Sequence, residues 1–224
     1  MPPFPTKLVN IDEDLPTTFF VFANMLNVIT WHNLSFTKGF SSSALGEAIV
    51  SQQLLNKYLK GTLDYLQFVP NQKRDLKNIS VFEMNSTSNY RIEYNCELYR
   101  RVHDQTKLCP SRMSCIYAFG DYDSCKAVSE KYGWDIGSVK QFKLVPLPGT
   151  RVAKVNMEVI SLFRTLEPVA SWTEEEQVQI WEHYWSAKDN IVLEYPELRG
   201  QRTSMPSGVI WEYLIEGRLE LASD

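Results

Sequence analysis

The sequence predicts an α+β protein, with an N-terminal helical region followed by a mixed, mostly antiparallel sheet and flanking helices. Three observations carry this. A helical stripe of Leu45, Ile49, Leu54, Leu55, Tyr58 and Leu59 follows the cap-forming serines 41–43. Beyond the polar, proline-bearing segment 70–77, short β-prone runs alternate with turn-rich ones. Residues 97–146 then read as strand, loop, strand, helix, strand.

In order, residues 1–16 are proline-bearing and acidic, an extended lead-in. The apolar run 17–31 favours helix through Phe22, Met25, Leu26 and Ile29. The next helix covers 44–59, and segment 70–77 is a linker that separates a helical region, 1–77, from an α+β domain, 78–224. Strands are expected at 80–84 and 90–94 around the turn-rich 85–89, and a third at 97–102. A polar loop, 103–112, leads to a buried strand at 114–119, halted by Gly120-Asp121. Asp123 then caps a helix to Tyr132, with Gly133 where φ turns positive. Strands follow at 139–145 and 152–157, and Thr173 with Glu176 has the spacing of a capping box. That helix directs Val178, Trp181, Tyr184 and Trp185 to a core. Segment 188–207 reads as loop, and 209–214 with 218–222 as a hairpin about Glu216-Gly217.

Composition narrows the function classes. A net charge of −4 lacks the basic excess of a general nucleic-acid binder. The cysteines at 96, 109, 115 and 125 form no Cys-x-x-Cys pair, and the three histidines add no spaced partner, so no metal site is expected. The start of the chain lacks a basic, apolar leader, and no run reaches the roughly 18 apolar residues of a membrane span. Free thiols in the cytoplasm are the expectation.

Tyr99-Arg100, the strand–helix unit from 116 to Gly133, and Glu212 on a late strand recur in an order that resembles the ADP-ribosyltransferase fold. The resemblance is to its small bacterial and phage members, over about residues 95–222. It implies NAD as substrate, a host-cytoplasmic location for a phage-encoded chain, and a protein or other acceptor that the sequence does not specify. Breaking the nicotinamide–ribose bond develops positive charge on the ribose, which a carboxylate stabilises. By resemblance that role falls to Glu212. Arg100 would hold the pyrophosphate or ribose through its planar fork of donors, and Tyr117 would stack on nicotinamide. Ser114 is the third cofactor-binding candidate, close to the middle-strand position where many members carry a serine and this chain has Phe119. Ile210 stands two before Glu212, so the paired acid of arginine-modifying members is absent.

Each residue also has a plainer reading. Glu212 fits the solvent face of a hairpin, Tyr117 a core position, and Arg100 an ion pair, with Arg101 as its rival on the opposite strand face. The enzyme reading requires Arg100 and Glu212 to converge on one cleft. The alternative is a non-enzymatic interaction protein on a degenerate copy of the fold, a host-factor inhibitor or virion component. It is motivated by Phe19, Phe20, Phe22 and Trp31 as interface aromatics.

Overall fold

The computed structural model describes residues 5–65, 81–167, 170, 172–196 and 202–222. The expected linker 70–77 lies outside them. The apolar run at 17–31 is not one helix. Its first part forms strand β1 (Phe19–Phe22), in which buried and half-buried side chains alternate, as suits aromatic and β-branched residues on a pleated surface. Only then does α1 (Val28–His32) begin, capped by Asn27, whose side chain accepts from the Ile29 and Thr30 N–H groups. A π-helical turn at Asn33–Thr37 follows, closed by Lys38 at φ 55°. After β2 (Gly39–Ser41), the expected helix 44–59 divides into α2 (Ser43–Ala48) and α3 (Gln52–Leu59). The break comes where Ser51 turns extended and caps the second helix through the Leu54 N–H.

The largest correction is α4 (Val81–Val102), one helix where strands at 80–84, 90–94 and 97–102 are expected. Ile92, Cys96 and Tyr99 make a narrow apolar stripe packed into the main core. Beside it Glu97 and Arg100 are also buried. Buried charges widen the inward face without adding hydrophobicity, so the helical period is hidden in the sequence.

Local chemistry holds better further on. β3 (Ile116–Ala118) leads to α5 (Tyr122–Tyr132), capped by Asp121 rather than Asp123 and closed by Gly133 at φ 70°. β4 (Val139–Val145) and β5 (Arg151–Asn156) match their expected strands closely. α6 (Met157–Leu166) follows directly, and α7 (Glu174–Trp185) carries both halves of the Thr173–Glu176 capping box. Segment 188–207 is not a loop, since β6 (Val192–Pro196) and β7 (Arg202–Pro206) pair as a two-stranded ribbon.

β8 (Trp211–Glu216) and β9 (Arg218–Leu221) do not form the expected hairpin. One residue, Gly217, separates them, too few for a two-residue hairpin turn. β8 instead lies between β3 and β5, whereas β9 lies between β4 and β2. The chain turns a corner at Gly217, where a Cβ would sit 2.9 Å from Thr150 Cγ2. All pairings in these sheets are antiparallel. Phe20 and Phe119 exchange both backbone hydrogen bonds at 2.8 Å and join the sheets through β1 and β3. Strand pairing thus crosses the 77/78 division, because β1 and β2 pair with β4 and β9.

Alternation along β8 sets up two faces. Leu214 points into the core shared with α4, α6 and α7, and Ile215 into the core with Phe19, Val21 and Phe142. Glu212 and Glu216 share the face of Leu214, so both carboxylates point inward, towards the helices.

Candidate functional site

Glu212 and Glu216 are both buried, which overturns the reading of Glu212 as a solvent-facing hairpin residue. Their surroundings differ sharply. Glu216 accepts from the Ser111 N–H at 3.0 Å and Ser114 Oγ at 2.9 Å on one oxygen. The other takes Tyr65 Oη at 3.1 Å and pairs with Arg151, its cross-strand neighbour, also at 3.1 Å. Such a carboxylate is matched on all sides and serves the fold.

Arg100 belongs to this structural network. It is fully buried, and its Nε and Nη2 engage Glu97 at 2.9 and 2.6 Å. Nη1 donates to the Lys107 and Cys109 carbonyls, each at 2.9 Å. The fork that was to hold a dinucleotide instead ties α4 to the loop that follows it. Arg101 reaches Asp64 at 3.4 Å on the surface. Neither arginine lines the cleft described next, and with α4 helical the strand-face rivalry between them disappears. Ser114, through Glu216, is likewise part of the buried network.

Glu212 and Tyr117 do share a space. A cleft of about 460 Å³ is lined by them together with Arg112, Tyr132, Trp134, Met157, Ile160, Ser161 and Arg164. One wall is a single face of α6, since Met157, Ile160, Ser161 and Arg164 are spaced three and four apart. Tyr132 and Trp134 come from the end of α5 and just beyond it, and β3 and β8 supply Tyr117 and Glu212. The volume falls within the usual range of small-molecule sites.

Arg112 organises the charges. Its Nε and Nη2 grip both oxygens of Glu93 at 2.9 and 3.2 Å, while Nη1 contacts Tyr184 Oη and lies 3.5 Å from Glu212 Oε2. Arg164 also pairs with Glu93. Tyr117 Oη donates to the Arg112 carbonyl at 2.5 Å, and the guanidinium carbon lies 5.1 Å from the centre of the Tyr117 ring. The two carboxylates are driven apart in acidity. Burial pushes the Glu212 carboxyl up, with Glu93 adding to the rise and Arg112 only partly opposing it. Burial would also raise Glu93, but Arg112 and Arg164 outweigh it and hold that carboxyl below its usual range. Divergent carboxylates beside a ring-walled cleft are a common arrangement of acid–base sites.

Arg112, Glu93, Arg164 and Trp134 escape sequence reasoning. Arg112 sits in a polar loop after Pro110, where an arginine is ordinarily solvated, and carries no signal of its own. The available clue for Glu93 is its i, i+4, i+7 spacing with Glu97 and Arg100, beside the apolar Ile92, Cys96 and Tyr99. Among the described residues no helix is long and apolar enough to cross a membrane. No protein-family model matches the chain, and no curated protein matches it.

Proposed function

We propose that the cleft over Glu212 binds NAD as a substrate and that the nicotinamide–ribose bond is cleaved there, the ADP-ribosyl group passing to water or to an acceptor. What supports this reading is the convergence of Tyr117 and Glu212 on one cleft with two guanidinium groups, Arg112 and Arg164. A planar ring needs an aromatic wall, a phosphate needs cations, and a ribose developing positive charge needs a carboxylate. Arg100 does not converge with Glu212 as the sequence reading requires, being spent on Glu97 and two carbonyls, so the cationic part of this reading rests on Arg112 and Arg164 instead. Burial raises the Glu212 carboxyl and Arg112 opposes that rise only in part, so the ionised form that the reaction requires depends on the Arg112 contact.

Nicotinamide release from NAD, measured beside calorimetric binding, tests both halves of the reading. The wild-type chain should bind NAD saturably and release nicotinamide. Glu212→Gln should bind comparably while turnover falls by at least about a hundredfold, the scale of losing one preorganised electrostatic group. Neither binding nor release would reject the proposal and leave the non-enzymatic interaction protein as the surviving reading.

A further inference from the structure

The segment around α1 stands apart from the rest of the surface. α1 has five residues and buries none of them. Isolated helices shorter than about 12–15 residues are marginal in water and depend on tertiary packing of an apolar face. Here the apolar side chains point outward: Leu26 is 92% exposed, Val28 76%, Ile29 72% and Phe36 67%. Met25 and Trp31 are also exposed, and the Trp31 and Phe36 rings meet edge to face at 5.7 Å. Local bonds fix this shape. Asn24 Oδ1 accepts from the Leu26 N–H, Asn27 caps α1, and Leu34 is buried in the π-helical turn. The apolar side chains are therefore held out on a shaped surface.

We propose that this surface is where a second copy of the chain docks, forming a twofold dimer with α1 packed on its counterpart. Two quantities favour this occupant. The six side chains present apolar area on the order of 600 Å², from the usual contributions of aliphatic and aromatic residues. With their polar rim of Asn24, Asn27, Thr30 and Ser35 this approaches the ~800 Å² per partner of a stable interface. Charge is the second. Between Asp14 and Lys38 the chain has no Asp, Glu, Lys or Arg. In a twofold contact every residue faces the same patch on the other copy, so any charge near the axis would meet its like. A segment without Asp, Glu, Lys or Arg meets that condition, the nearest cations, Lys38 and Arg218, lying at its far end beyond Phe36. A foreign partner selected by charge would find nothing to read here, and a lipid surface is normally bound through lysines or arginines that this segment lacks.

Sedimentation velocity over a wide concentration range tests the proposal. The wild-type chain should form a dimer, and Leu26→Glu with Ile29→Glu should raise its dissociation constant at least about a hundredfold, because carboxylates would be buried unpaired. Hydrogen exchange of the wild-type chain supplies a readout that needs no variant: amides 28–32 should be protected in the dimer and lose protection on dilution. A wild-type chain monomeric at every concentration would overturn the proposal. So would a dimer untouched by the glutamates, or a monomer that floats with phosphatidylcholine vesicles.

Discussion

Glu212 and Glu216 stand four residues apart on one face of β8, yet they are bound in opposite ways. Glu216 is met by Ser111, Ser114, Tyr65 and Arg151 at 2.9–3.1 Å, whereas the Glu212 partner, Arg112, stands off at 3.5 Å while it grips Glu93. Equal burial therefore conceals different roles. The first carboxylate is part of the scaffold, and the second is held at the wall of a cleft with its charge only partly compensated.

The two should part company in a stability measurement. Glu216→Gln removes the charge opposite Arg151 inside the protein, and losing one partner of a buried ion pair costs about 3–5 kcal/mol. Glu212→Gln should change stability by less than about 1 kcal/mol near neutral pH, because ionised Glu212 is already disfavoured by burial. Urea unfolding of both variants measures the difference, and equal losses would erase the distinction drawn here.

Arg100 and Arg101 offer a parallel contrast on α4. Arg100→Met leaves Glu97 buried and uncompensated and frees the Lys107 and Cys109 carbonyls, so a loss of about 3–5 kcal/mol is expected. Arg101→Ala breaks a surface contact with Asp64 and should cost under about 1 kcal/mol. Because neither lines the cleft, Arg101→Ala should also leave NAD affinity unchanged in calorimetry.

How legible these features were in the sequence follows from where each structural cause lies. α5 with its Gly133 stop and α7 with its capping box are readable because their signals are local, a few residues of side-chain-to-backbone chemistry. β4 is readable because its run from Val139 is unbroken until Pro146 and Pro148 stop the strand. α4 is not, because Glu97 and Arg100 are buried against each other and resemble a polar face until the partner surface is known. The turn at Gly217 escapes for a similar reason, since a glycine between two strands looks the same whether they pair or diverge. In the candidate cleft, Tyr117 and Glu212 are residues that the family resemblance singles out, while Arg112 reaches them only through the path of its loop.

Trp134 should contribute to affinity more than to folding. It is 44% exposed and lies at the cleft edge, its ring 5.1 Å from that of Phe22. If the cleft binds NAD as proposed, Trp134→Ala should weaken that binding up to about tenfold, the scale of one lost aromatic contact. The same substitution should cost about 1 kcal/mol or less in stability, because little of the core is lost. Calorimetry and urea unfolding on one preparation check both, and unaltered affinity would place the ligand elsewhere in the cleft.

The opposed shifts of Glu93 and Glu212 give the protein a readable acid response. Glu93 titrates below its usual range because Arg112 and Arg164 outweigh burial, so its pairing stabilises the fold above the unfolded carboxylate range. That contribution is lost as pH falls through the lowered folded value. Glu212 is raised, chiefly by burial, so its contribution has the opposite sign, being present at low pH and lost as pH rises through the raised value. Unfolding free energies taken between about pH 3 and pH 7 should therefore respond differently to two substitutions. Glu93→Gln should flatten the acid limb and lower stability at neutral pH by about 3 kcal/mol or more, since Arg112 and Arg164 lose their shared partner. Glu212→Gln should leave the acid limb steep and raise the neutral end relative to the acid end. If both variants keep the wild-type profile, the charge arrangement around Arg112 is not the one described.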